Sequence, residues 1–342
     1  MANEALWLTG VGEQPNLGPA DMYEPGEGEM LIKVKAIATQ PGEWKMQEGL
    51  IPIRLKYPTV IGLSASGIVE KIGPGVTRFQ PGDHILTNTT GVLRNDSRFG
   101  AYQRYCLVPE RLVSKVSISD VPFDEAANIA TSYTAMSALV LHLGLNRPQI
   151  PSAPATGERI LIWGVSSSLG VFATQLARQA GYEVVGIASG RHEQLAARFG
   201  VTHFVDRTSE DIVSAASALG PFKAVLAAAD SAEDQVKIGA ILAALGGGSF
   251  LSTMGVRAGV KLPANVTGHF AQYIDDYLDE KNSEFTEWFW WNYLENALAK
   301  KQLTSLPLTT LGGLDKAEEA WRILKHGENH GTRLVIVPEQ EA

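Results

Sequence analysis

The chain has 342 residues, of which 45% are hydrophobic and 19% charged, with a formal net charge of -8. That length exceeds what one core usually serves and predicts two domains. The acidic balance argues against nucleic acid or an anionic membrane as a partner, and the single cysteine, Cys106, excludes an internal disulfide or a four-cysteine zinc site.

No apolar run approaches the roughly 20 residues that span a bilayer. The first residues lack a basic segment followed by an apolar stretch, so a reducing, cytoplasmic setting is expected. Residues 1–125 are punctuated by Gly and Pro and carry short β-type runs at Met30–Ala38, Gly67–Ile72, His84–Thr87 and Tyr105–Val108. Pro81-Gly82-Asp83 reads as a tight turn between two of them. This predicts a compact, mostly β first domain.

From Phe123 to Leu143 the apolar residues take helical spacing and lead into a second domain over 126–269. Pro148 to Pro154 reads as a surface loop. Strands and helices then alternate. Strands are predicted at Arg159–Gly164, Glu183–Ala188, His203–Asp206, Ala224–Ala228 and Gly248–Ser252. Helices are predicted at Gly170–Gly181 and His192–Phe199. Apolar strands alternating with helices predict an α/β fold, a parallel sheet covered on both faces. The texture changes again over 270–342, with an aromatic helix from Phe285 to Leu298 and a last strand, Arg333–Val337.

The strongest local signal is the strand ending at Gly164, followed by Val165-Ser166-Ser167-Ser168-Leu169-Gly170 and a helix. Free backbone N–H groups and the positive end of the helix dipole would meet a phosphate there. Small residues let the backbone approach a pyrophosphate, and Gly170 lets the helix pack closely on the strand. The full G-x-G-x-x-G pattern is absent, because Val165 and Ser167 hold its first two glycine positions. An ordinary Ser-rich turn is the plainer alternative, but the βαβ setting favours nucleotide binding. The second strand of this unit runs into Ser189, Gly190, Arg191 and His192, with no carboxylate at its tip. NAD sites place an acid there, whereas arginine pairs with a 2′-phosphate. NADPH is therefore the expected cofactor, with Arg207, after the third strand, as a second candidate.

Taken together, these residues resemble the zinc-independent quinone oxidoreductase and enoyl reductase branch of the medium-chain dehydrogenase/reductase family. Within it they are most similar to the stand-alone, ToxD-like enoyl reductases that serve fungal polyketide synthases. Gln40-Pro41-Gly42-Glu43-Trp44-Lys45 looks like the family's Asn-Pro-x-Asp-Trp-Lys, and Gly62 to Gly67 like Gly-x-Asp-x-Ala/Ser-Gly. Gly100-Ala101-Tyr102 matches a Gly-Ala-Phe/Tyr segment, and Thr134-Ala135 a Thr-Ala pair facing the nicotinamide. Gly164 to Gly170 resembles Gly-Ala-Ser-Ser-Ser-Val-Gly. Trp288-Phe289-Trp290 and Lys325 to Val337 resemble the closing segment. The resemblance implies a GroES-like catalytic domain with a Rossmann domain inserted, residues 270–342 returning to the first.

Zinc members of that family use Cys, His-Glu and Cys around a catalytic metal. The His-Glu position here reads Leu63-Ser64, and only one Cys exists, so zinc-independent chemistry is expected. Gln40 stands for the usual Asn, Glu43 for Asp, Ser64 for Asp, and Arg207 for Tyr.

Lys45 is the first catalytic candidate, as a cation for a thioester or enolate oxygen. A surface lysine beside a packed Trp44 is its plainer reading. Tyr133 is the second candidate, and Thr134 is expected to bond the cofactor carboxamide; simple helix packing is the alternative for both. Gln40 and Ser64 are expected in the substrate pocket. Cys106 reads as core, and the seven histidines show no metal-ligand spacing. Phe285, Trp288, Phe289, Trp290, Trp291 and Tyr293 read first as core or dimer packing, then as pocket lining.

The leading expectation is reduction of an activated C=C bond of a small or carrier-bound enoyl substrate, in polyketide or other secondary metabolism. A polyketide synthase is a candidate partner, and the chain is expected to be a monomer or homodimer. An NADPH:quinone reductase is the nearest alternative. An NADP-binding cyclase or structural protein without hydride transfer is the alternative of another class.

Overall fold

The computed structural model describes residues 2–51, 53–117 and 119–339. The chain divides into two units, residues 1–131 with 277–342, and residues 132–276. The first break falls after residue 131 rather than 125 because the helix that starts at Phe123 packs on the sheet of the first unit. Ser66 Oγ donates to the Phe123 carbonyl at 2.5 Å, and the rings of His84 and Phe123 meet edge-on at 5.2 Å.

The first unit begins with an antiparallel ribbon, β1 (Asn3–Trp7) and β2 (Asn16–Ala20). The long strand β3 (Glu29–Ala38) is followed by helix α1 (Pro41–Gln47), then β4 (Ser64–Ile72) and β5 (His84–Asn88). Helix α2 (Gly91–Arg94), β6 (Tyr105–Pro109), β7 (Val113–Lys115) and helix α3 (Phe123–Ala130) complete its first part. Met30, Leu31, Ile32, Val34, Ile37 and Ala38 of β3 are buried, as a strand paired on both edges requires.

The second unit runs through α4 (Ser132–Ser137), β8 (Arg159–Trp163), α5 (Ser168–Gln179), β9 (Glu183–Ala188) and α6 (Glu193–Arg198). It continues with β10 (His203–Asp206), α7 (Ile212–Ser217), β11 (Ala224–Ala227), α8 (Ala232–Ala244), β12 (Gly248–Ser252) and β13 (Val266–Phe270). Its six strands are all parallel in the order β10-β9-β8-β11-β12-β13. Numbered within the unit, that is 3-2-1-4-5-6, the doubly wound order whose ligand crevice opens at the switch point between the first and fourth strands. Trp163, Ile187, Val225, Ile238 and Phe250 build its core. The edge strand β13 was not foreseen, because Thr267, Gly268, His269 and Phe270 are partly or fully exposed and carry no apolar run.

The helix expected over 123–143 is interrupted at Thr131, where α3 gives way to α4 and then a π-helical turn over Ala138–His142. Thr131 Oγ1 donates to the Asn128 carbonyl at 2.7 Å, a local bond that competes with the helix ladder.

The return segment adds α9 (Ser283–Glu287), a π-helical stretch over Trp288–Leu294, α10 (Glu295–Ala299), β14 (Leu308–Gly312), α11 (Ala317–His326) and β15 (Arg333–Ile336). β15 pairs with β3, which extends the sheet to β14-β15-β3-β4-β5-β7, with β6 also on β3. Phe285, Phe289, Trp290 and Tyr293 are buried, and Ser114 Oγ bonds the Trp290 carbonyl, so the aromatic helix is core of this unit. Cys106 is a buried free thiol whose pKa burial pushes up. No helix is long and apolar enough to cross a membrane among the described residues.

Candidate active site

In the second unit, β8 ends at the switch point and the chain turns through Gly164 into α5. Gly164 has φ +84, a region that favours glycine. A side chain on Gly170 would place its Cβ 2.3 Å from the Gly164 carbonyl oxygen, so only glycine permits this strand–helix approach. Ser167 caps the helix, its Oγ accepting from the Gly170 N–H at 3.0 Å. The first-turn N–H groups of Ser168 and Leu169 have no intrahelical acceptor. Ser166, Ser167, Ser168 and Leu169 are half-buried, so the turn is within reach of solvent. The turn thus presents backbone N–H groups at a helix N-terminus, an arrangement that favours an anion.

Beyond β9, Ser189 and Gly190 are half-buried, Arg191 is exposed and His192 half-buried. Arg191 Nε donates to His192 Nε2 at 3.1 Å. Burial first, then the Arg191 and Arg207 guanidinium groups, hold the His192 pKa below its ordinary value. Those three side chains therefore lie close together. Arg207 is partly committed, with Nη1 3.7 Å from Asp234 Oδ2. One member escaped the sequence reading. Asp206, at the tip of the adjacent strand β10, accepts at Oδ1 from the N–H of Gly190 and of Thr208, at 3.0 and 2.9 Å. Those bonds, Thr208 first, hold its pKa low. Only the β9–β10 pairing reveals that a carboxylate braces this turn.

Tyr133 lies in α4, fully buried, with its hydroxyl donating to the Asp276 carbonyl at 3.4 Å. Asp276 also takes bonds from Ser137 and, at 2.8 Å, from His142. Thr134, next to Tyr133, is half-buried.

In the first unit, the turn after β3 brings Gln40 to Ser64, with Nε2 donating to Ser64 Oγ at 2.9 Å. Ser64 is fully buried and Gln40 half-buried. Lys45, half-buried on α1, sits with its ammonium 5.7 Å from the centre of the Trp44 ring. The structure thus joins Gln40 to Ser64 and places Lys45 on the adjoining helix.

Glu43 is the larger surprise of this unit. It is fully buried, and its Oε2 accepts from the Gln40 N–H (3.0 Å), the Tyr102 hydroxyl (2.6 Å) and Trp321 Nε1 (3.3 Å). Its Oε1 has no hydrogen-bond partner among the described residues. Burial pushes its pKa up to about 7 against those three bonds and the pull of Arg333. Arg333 is itself buried and donates to Asn128 Oδ1 at 2.7 Å; burial lowers its pKa to about 10. Among the described residues, no three His, Cys, Asp or Glu side chains cluster as a metal site.

Residues 26–118 match the Alcohol dehydrogenase GroES-like domain family. The chain is similar to the trans-enoyl reductase himH of Aspergillus japonicus, with 32% identity over 346 positions, covering 100% of this chain and 99% of that protein. Among solved structures it is similar to the CurK enoyl reductase, with TM-score 0.76 and 18% identity over 98% of this chain and 99% of that one. A mycobacterial quinone oxidoreductase gives TM-score 0.72 and 22% identity over 98% and 100%. These two likenesses concern the fold.

Proposed function

We propose that this chain, which belongs to the medium-chain dehydrogenase/reductase family among the fungal stand-alone enoyl reductases, is a cytoplasmic enzyme that uses NADPH to reduce a C=C bond conjugated to a carbonyl. The observation that carries this reading is the capped, glycine-constrained turn from Gly164 to Gly170 at the switch point of a 3-2-1-4-5-6 sheet. It is supported by the end-to-end similarity to a trans-enoyl reductase.

The turn's N–H groups at Ser168 and Leu169 would hold the pyrophosphate, and Ser166 and Ser167 would line it. Arg191 and Arg207, with His192 and Ser189, would read the 2′-phosphate, and Thr134 would bond the carboxamide. When bound, NADPH supplies a hydride to the carbon β to the carbonyl. The π electrons then move onto the carbonyl oxygen, and a solvent proton adds at the α carbon. The chain's task is to meet charge on that oxygen. Lys45 is the cation proposed for it, and Gln40 and Ser64 are proposed to line the pocket. Tyr133, with its hydroxyl on a backbone carbonyl, is assigned to holding α4 before any part in proton transfer.

The test is NADPH consumption with crotonyl-type thioesters, short enones and quinones, in wild type and Lys45→Met. Turnover of enones or thioesters, cut about 10²–10³-fold by the substitution with NADPH affinity retained, supports the reading. Turnover confined to quinones would replace it with quinone reduction. NADPH binding without turnover of any acceptor would leave a non-redox role.

A further inference from the structure

One end of the first unit's sheet holds buried polar atoms that have no hydrogen-bond partner among the described residues. Ser64 opens β4 and Asn88 closes β5, and the two face each other in register. The next pair on that face, Ser66 with Leu86, lies under α3, where Ser66 bonds Phe123. Asn88 is fully buried, yet neither its Nδ2 nor its Oδ1 has a hydrogen-bond partner among the described residues. Two residues on, the Thr90 hydroxyl is likewise buried and unmatched. The alternate side chains behave in the ordinary way: Thr87 Oγ1 donates to the Leu112 carbonyl at 2.9 Å and Thr89 Oγ1 to that of Gly62 at 2.5 Å. Asn88 thus lies on the face that carries Ser64, and Gln40, bonded to Ser64, is the member that solvent reaches.

A buried amide with no partner destabilises a fold, and leucine would fill the same space without that cost. We propose that Asn88 is a specificity-determining residue whose amide donates to the carbonyl oxygen of the substrate, beside Ser64 and Gln40. This rests on the enone-reduction reading above. Ser64 Oγ already accepts from Gln40, so its own proton is available to donate. Asn88 adds two N–H donors, and Thr90 a hydroxyl. These neutral donors would act on that oxygen together with the Lys45 cation proposed above, as its charge develops. A ligand without that oxygen leaves the donors unmet, so the site selects for it.

The test is Asn88→Leu, read by melting temperature without substrate and by kcat and KM with a short enone. The variant should melt about 2–4 °C higher, turn over about 10²-fold more slowly, and bind NADPH as wild type does. A lower melting temperature would show that the amide is a structural bond, and unchanged turnover would show that it does not touch substrate; either overturns the proposal. If the leucine variant does not fold, Thr90→Val decides: it should raise the melting temperature and lower kcat, with the same two refuting results. A wild type that reduces no enone or thioester refutes the functional reading and this proposal with it. Active wild type with unaffected variants refutes this proposal alone.

Discussion

Replacing Glu43 by Gln should change how stability depends on pH. The carboxyl is fully buried, with three donors on one oxygen and, among the described residues, none on the other. Burial raises its pKa from 4.5 to about 7. The folded protein therefore binds this proton more tightly than the unfolded chain does. Its stabilisation is complete below pH 4.5 and is lost as pH rises through about 7. At about 1.4 kcal/mol per pH unit, the loss across that window is about 3 kcal/mol. For a unit of about 200 residues this corresponds to a change of roughly 6–12 °C in melting temperature. Glutamine has the shape of the protonated acid and does not titrate. Glu43→Gln should therefore match wild type near pH 5 and exceed it increasingly up to pH 8. Melting curves of both proteins at intervals across that range measure the difference. A difference that stays constant with pH would show that Glu43 is ionised throughout, held so by Arg333 and Tyr102, and would refute the argument.

Arg191→Ala should weaken NADPH binding about ten- to a hundredfold, the cost of one charged hydrogen-bond partner, while leaving NADH affinity nearly unchanged. Equal losses in titrations with the two cofactors would remove Arg191 from the 2′-phosphate site. Gly170→Ala should abolish dinucleotide binding or unfold the second unit, since its Cβ would lie 2.3 Å from the Gly164 oxygen. A variant that binds and melts normally would show that α5 can move away at little cost. Chelator treatment should leave turnover intact, and elemental analysis should find no stoichiometric zinc. One tightly held equivalent would contradict the zinc-independent chemistry expected from Leu63-Ser64.

The alternation of apolar strands and helices after residue 159 was legible in the amino-acid order alone, because the central parallel strands β8, β9 and β11 are buried almost throughout and are apolar along their length. The Gly164–Gly170 turn was legible for a similar reason. Its small residues and terminal glycine are demanded by distances within a dozen residues, and Ser167 caps Gly170 as that local pattern implies. Arg191 could be placed near the second strand's tip by counting along the chain. What tertiary structure decided were contacts between segments far apart in sequence. Asp206 reaches the Gly190 turn only because β10 pairs with β9. Glu43 meets Trp321 across 278 positions, and Arg333 meets Asn128 across 205. The unmet amide of Asn88 could not be foreseen either. In the sequence it is one polar residue in a run of threonines, and only the pairing of β5 with β4 puts it beside Ser64, buried and without a hydrogen-bond partner among the described residues. Local pattern encodes what a residue does for its own turn or strand, whereas burial and partnership at a site belong to the assembled sheet.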